Sequence, residues 1–490
     1  MSVIDPTARL RLGASDIHSN RTAGRTRRSL GLEEGVGTTA RLRIAPVQDE
    51  VSGTVAIPAS VANLQRGLIM GWLARGETMI RGKSAARRVQ DTVQVVRSLG
   101  ARVVQKPAEY LVQGGTFHAH SLRTSVGRSA DSLQFLLGLA SQVDNGPVVF
   151  RSQTGMLGHA VPRVAEVLAH LAVRVAPTDP AGGLVVCPGQ PRAGPITLGG
   201  DWGPAVSGLL MLAPFASGPV SVHLTPRIRD RTDIDRTVRL LRRFGIEVAD
   251  DPEANRWTVP GGQYYRPSVV ERRPDWSLAA FLLALAAMNP SRLTLVGVRE
   301  PGIEHPEGEG EGEARILQIL RAMGLKWTWD PTTESLWVVH GDERLEGADI
   351  DLADTPDLLP ILCVIASRAR GRTVLRHVGR GRHKESDRVQ GMLQLRRMGA
   401  VIEVRGDDLV IDGQSVLHGA TINTYNDHRL LMAYAIAGTA ATGPTWLNYP
   451  WAYRVSYPEF LDQLTALHVS AAIISDEAPG NGGAAPTPAR

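Results

Sequence analysis

Cysteine is nearly absent from this chain of 490 residues. Cys187 and Cys363 stand apart, and neither belongs to a C-x-x-C pair or a Cys/His cluster. That pattern speaks against a structural zinc site and a disulfide framework, and it predicts a reducing, cytoplasmic setting with no metal and no cofactor. No apolar run reaches the length of a membrane span. Lysine is scarce, so arginine supplies nearly all of the positive charge. A formal net charge of +5 with no long basic run is too mild for a nucleic-acid partner and suits an anionic small molecule. The tryptophans are scattered and form no ladder for single-stranded nucleic acid. The N-terminal stretch is rich in Arg and Gly but lacks an apolar core, so no secretory signal is expected there. Residues 1–40 read as a disordered arm and residues 471–490 as a disordered tail.

What the chain does contain is a repeat. An amphipathic helical stretch, a small residue and an apolar strand start recur in order. The copies run DTVQVVRSLGARV, PRVAEVLAHLAVRV, DRTVRLLRRFGIEV, EARILQILRAMGLKW and DRVQGMLQLRRMGAVI, with a weaker PEFLDQLTALHVS. Their apolar residues fall three and four apart, as one buried helix face requires. Gly100, Ala172, Gly245, Gly324 and Gly399 follow the helices, where a left-handed C-cap belongs. Each unit also holds a helix that is apolar nearly all round, such as LAAFLLALAAM from Leu278 to Met288, which should be buried. Six units suggest an α/β protein of two domains with three units each.

Three helix starts carry possible chemistry. RHKESDR, Arg382 to Arg388, crowds acids and bases at one helix N-terminus. YNDHR, Tyr425 to Arg429, places a His beside an Arg at another, and TPDLLP places Asp357 at the opening of a buried helix. Capping explains Ser386, Asp387, Asp427 or Asp357 taken singly. It does not explain the bases gathered around them, which suit an anion.

In this order and spacing, the three motifs, with PDWSLAAFLLALAAM, ATINTYNDHRLLMAYAIAG and SYPEFLDQL, resemble the enolpyruvyl transferase family, in particular the 5-enolpyruvylshikimate-3-phosphate synthases. The resemblance spans roughly Thr54 to Leu467. It implies a two-domain inside-out α/β barrel of six βαβαββ units, three per domain. One domain would comprise 41–59 plus 273–470 and the other 60–272, with the active site between them. It implies transfer of the enolpyruvyl group of phosphoenolpyruvate to a substrate hydroxyl, by a monomer. Asp357 would take the hydroxyl proton. Glu385 would handle the proton at the methylene carbon, with its pKa raised by an enclosed cleft. Arg388 and Arg429 would clamp phosphoenolpyruvate, and His428 and Lys384 would line its phosphate side. Arg66 matches the family pattern for substrate binding, and Arg128, Ser129 and Arg454 are further candidate binding residues at or beside positions that depart from it.

Several positions depart from the family pattern. The Lys–Ser pair reads Val61–Ala62, and the Asn-x-Gly-Thr turn reads Arg128, Ser129, Ala130 and Asp131. The Ser-Ser-Gln that holds the substrate phosphate reads Trp202-Gly203-Pro204. Asp233 stands for a substrate-stacking Tyr, His159 for an Arg, and Val455 for a Lys. The expected acceptor is therefore a hydroxylated anion other than shikimate 3-phosphate, such as a nucleotide or a cyclitol. The alternative is a non-catalytic relative that binds an anionic metabolite.

Overall fold

A computed structural model describes residues 40–127, 129–151, 160–178, 183–199, 203–225, 231–298, 312–413 and 416–475. The expected arm, apart from its last residue, lies outside them, as do Arg128, His159 and Trp202. Helices run α1 (Val61–Leu73), α2 (Arg87–Ser98), α3 (Ala130–Leu139), α4 (Ala160–His170), α5 (Gly203–Leu212) and α6 (Arg231–Arg243). They continue as α7 (Trp276–Met288), α8 (Arg315–Ala322), α9 (Leu359–Arg368), α10 (Arg388–Met392), α11 (His428–Thr439) and α12 (Phe460–Ala466). The odd-numbered helices are the apolar ones. Every residue of α7 and of α11 is buried, and α7, α9 and α11 pack on one another.

The fold is mixed α/β, with six four-stranded sheets among the described residues. Each has a parallel pair at one edge followed by two antiparallel pairs. In one of them, α5 links the parallel strands Gly194–Gly199 and Val220–Thr225, and α6 leads on to the antiparallel strands Ala249–Asp251 and Arg256–Val259. The parallel pair needs a crossover, which is why a helix always intervenes. Three sheets are closed by distant chain. Val269–Val270 pairs in parallel with Glu77–Arg81. Val51–Ala56 pairs in parallel with Ser291–Val296. Arg41–Ile44 lies between Thr445–Leu447 and Ala471–Ile474. Residues 471–474, expected as the start of a disordered tail, form a strand instead, and residues 476–490 lie outside the described ones.

The helix-ending residues behave as their spacing predicts. Gly100, Ala172, Gly245, Gly324 and Gly399 all have positive φ, and His468 does so in the weak sixth copy. The long amphipathic helix expected after Asp387 is shorter: α10 ends at Met392 and tightens into a 3₁₀ stretch, Leu393–Met398. Buried apolar side chains form two clusters. One draws on residues 42–57 and 276–469, the other on residues 59–270.

Candidate active site

A cavity with about 70 Å³ of free space lies where both clusters contribute residues. Its wall is made largely of helix starts: Ser60 and Val61 at α1, Arg88 at α2, Asp131 at α3, Pro204 at α5 and Asp233 at α6. From the second half come Asp275 and Ser277 at α7, Asp357 just before α9, and Arg429 at α11. Helix N-termini leave unpaired N–H groups and carry partial positive charge, so their convergence favours an anion. The acidic side chains there answer that field. Asp275 accepts from Leu278 N at 3.1 Å, and its second oxygen accepts from Val61 N at 3.1 Å, tying α7 to α1.

Behind one wall, Arg388 is buried, with its side chain 1% exposed. Its Nη1 donates to Asp357 Oδ1 at 2.8 Å, its Nη2 to Glu385 Oε2 at 2.6 Å and its Nε to Asp427 Oδ2 at 2.9 Å. Arg429 Nη2 lies 3.2 Å from Asp357 Oδ2 and Lys384 Nζ 3.4 Å from Asp357 Oδ1. Arg429 also donates to Ser277 Oγ at 2.9 Å. Asp357 makes no capping bond to its helix; its carboxylate is taken up by three cations. Burial would raise its pKa, but Arg429, Lys384, Arg388 and Arg88 outweigh that and hold it well below the carboxylate range.

Glu385 corrects an expectation. Its side chain is 28% exposed; loss of part of its water would raise its pKa, but the attraction of Arg388, with His428 and Arg88, lowers it instead, so the resting group is an anion. His428 goes the other way from a cation: burial lowers its pKa to about 4, and it is neutral at pH 7. Its Nε2 is buried without a hydrogen-bond partner among the described residues. Glu385, Asp427 and His428 bring ligand-type atoms within 4.8 Å of one another. Arg388, however, donates to both carboxylates and already supplies the cation that a metal would provide.

On the opposite side, Arg66 is buried against Asp233, 2.7 Å away, and Thr237, 2.8 Å away. Its guanidinium also lies 4.7 Å from the Phe135 ring centroid, a cation–π contact. Arg236 pairs with Asp233 at 3.2 Å and with Glu313 at 3.0 Å, joining residues of the two halves.

Asp357, Lys384, Arg429 and Arg66 thus line one cavity, with Glu385, Arg388 and His428 connected to them. Ser129 is occupied elsewhere, capping α3 through Ser132 N at 3.2 Å and accepting from Gln65 at 3.0 Å. Arg454 is half-buried beside Tyr453, with its guanidinium carbon 5.9 Å from that ring's centroid, and does not line the cavity. Arg88, Arg236, Asp275, Ser277 and Glu313 also line the cavity, although no motif in the sequence marks them as site residues, and Asp233 lines it where the family has a Tyr. An i, i+3 acid–base pair at the start of α6 was the visible signal for Asp233 and Arg236; nothing local marked Arg88.

The fold is mixed α/β, and its helix starts enclose interlocked acids and guanidinium groups, a setting suited to an anionic ligand. Residues 46–464 match the EPSP synthase (3-phosphoshikimate 1-carboxyvinyltransferase) family, and the chain belongs to that family of carboxyvinyl transferases. The 3-phosphoshikimate 1-carboxyvinyltransferase of Methanocorpusculum labreanum is 29% identical over 431 residues, covering 87% of this chain and 98% of that one. That of Methanocaldococcus jannaschii is 29% identical over 434 residues, with the same coverage of 87% and 98%. Two solved structures share the fold. EPSP synthase of Acinetobacter baumannii gives a TM-score of 0.72 at 24% identity, covering 89% of this chain and all of that one. The enolpyruvyl transferase NikO of Streptomyces tendae gives 0.70 at 17% identity, covering 90% and all of that chain.

Proposed function

We propose that this enzyme transfers the enolpyruvyl group of phosphoenolpyruvate to a hydroxyl of an anionic small molecule other than shikimate 3-phosphate. The observation that carries the reading is the Asp357–Arg388–Glu385 network with Lys384 and Arg429 at one cavity. The division into domains 41–59 plus 273–470 and 60–272, each a barrel of three units, belongs to the same proposal; the two hydrophobic clusters support it.

In the proposed reaction Asp357 accepts the acceptor's hydroxyl proton as the acceptor oxygen attacks carbon 2, and carbon 3 takes its proton from Glu385, which carries one while the donor is bound. In the tetrahedral adduct the carbon 2–oxygen bond to phosphate then breaks, phosphate leaves with the proton held by Asp357, and the adduct gives up a methyl proton, leaving an enol ether. Glu385 takes that methyl proton. It rests as a carboxylate, which suits the elimination. Bound phosphoenolpyruvate competes for Arg388 and repels Glu385, so the donor's own charge raises the proton affinity of Glu385 when protonation is needed. Neutral His428 offers an unpaired ring nitrogen to the donor. The departures at Val61, Gly203–Pro204 and Asp233 support an acceptor other than shikimate 3-phosphate.

The test is phosphate release from phosphoenolpyruvate across a panel of hydroxylated anions, nucleotides and phosphorylated cyclitols included. Acceptor-dependent release is expected, and Glu385→Gln should lower it by roughly a hundredfold or more, as loss of a general acid–base group does. Background release with every acceptor, unchanged in Glu385→Gln, would leave a metabolite-binding protein instead.

A further inference from the structure

Two lysines of the family pattern are valines here, Val61 and Val455. Val61 lines the cavity at the start of α1, and Val455 ends the short turn Ala452–Val455 beside Ser456, which lines it too. Helix α2 packs against both α1 and that turn. Arg88, in the first turn of α2, lines the same cavity, so a cation shares it with Val61 and with Ser456, the neighbour of Val455.

The Arg88 side chain is only 12% exposed, and its paired acid, Asp131, is 40% exposed. One guanidinium nitrogen, Nη2, donates to Asp131 Oδ2. Its Nε–H is buried without an acceptor among the described residues. An unpaired donor on a buried guanidinium costs free energy unless a ligand supplies the acceptor. The charge of Arg88 also reaches the reacting groups: it lowers the proton affinity of both Asp357 and Glu385.

We propose that Arg88 is a donor-binding residue, which holds the phosphoenolpyruvate anion in place of the lysines absent at 61 and 455. This rests on the reading of the chain as a phosphoenolpyruvate-dependent transferase. Asp131 neutralises the guanidinium in this structure. When the donor enters, Arg88 turns its unpaired N–H to the anion, and half-exposed Asp131 regains water at little cost. Asp131 is then a competitor of the donor, not a partner in binding it.

The test is calorimetric titration of the full chain with phosphoenolpyruvate, and separately with inorganic phosphate. Wild type is compared with Arg88→Met, Arg88→Lys and Asp131→Asn. Arg88→Met should weaken phosphoenolpyruvate binding by roughly tenfold to a hundredfold, the worth of a charge-assisted hydrogen bond, and Arg88→Lys should recover part of it. Asp131→Asn should tighten binding, because a competing charge is gone. A purely structural Arg88–Asp131 pair would instead make Asp131→Asn and Arg88→Met fail alike. If Arg88→Met binds phosphoenolpyruvate within about twofold of a wild type that binds it well, Arg88 is not a donor ligand, and the transferase reading stands. If wild type binds no phosphoenolpyruvate, both readings fall. Should Arg88→Met fold poorly, the opposite shifts expected of Arg88→Lys and Asp131→Asn still decide the question.

Discussion

Asp427 and Asp387 cap neighbouring helices with similar geometry, yet they carry different weights. Asp387 accepts from Gln390 N at 2.9 Å and from Arg382 at 3.1 Å, in a partly exposed setting. Asp427 is fully buried and accepts from Arg429 N at 2.8 Å, Ser386 Oγ at 2.9 Å and Arg388 Nε at 2.9 Å. Removing the first acid loses a cap worth about 1 kcal/mol. Removing the second strips a buried guanidinium of one of its three carboxylates, which costs roughly 3 kcal/mol or more. Urea denaturation of Asp387→Ala and Asp427→Ala should show that gap. Equal losses would mean that Asp427 acts as a cap alone.

At the scale of the element, the repeating helix end is the feature that orders the chain. Gly324 has φ +106° with open space where a Cβ would stand, so the cost of Gly324→Ala is backbone strain and not a clash. That strain is about 1–2 kcal/mol. Ala172 meets the same requirement at φ 60° with a side chain already present. Ala172→Gly should therefore be near neutral or stabilising, as relief of strain offsets the entropy of glycine. Thermal melts of the two variants check the pair of signs. A harmless Gly324→Ala would show that this turn can re-form without a left-handed residue. The apolar helices α7 and α11 and the small-residue pivots were legible before any coordinates, because periodicity and left-handed caps are local properties. Helix α10 was less so: its apolar spacing continues past Met392, but the chain there tightens into a 3₁₀ stretch that the spacing does not distinguish.

At the scale of the whole molecule, the buried site ties stability to pH. His428 drops from its ordinary 6.5 to about 4 on folding, because burial disfavours the imidazolium. The unfolded chain therefore binds the proton first, and stability falls as pH drops from about 6.5 towards 4. Asp357 and Glu385 are also lowered on folding, so their contribution is present above the ordinary carboxylate range and is lost as pH falls further. All three act in the same direction. Urea midpoints should decline between pH 7.5 and pH 5 by more in wild type than in His428→Gln, which keeps the volume without the titrating ring. An identical decline in both would remove His428 as a source of the acid sensitivity.

By itself the sequence determined the alternation of apolar and amphipathic helices, the left-handed ends and the acid–base motifs at residues 357, 385–388 and 427–429, since each depends on neighbours within a few turns. Which of those charges are buried, and beside what, only the tertiary structure decided. Arg88 carries no local mark of a site, and Asp233 reads only as a departure at a position where the family has a Tyr. Their place at the cavity comes from packing helices whose starts lie far apart in the chain, and from strands such as Val51–Ala56 and Ser291–Val296 that pair across it. The protonation state of Glu385 follows from the same cause, because burial and the Arg388 charge pull its pKa in opposite directions and only their distances say which prevails.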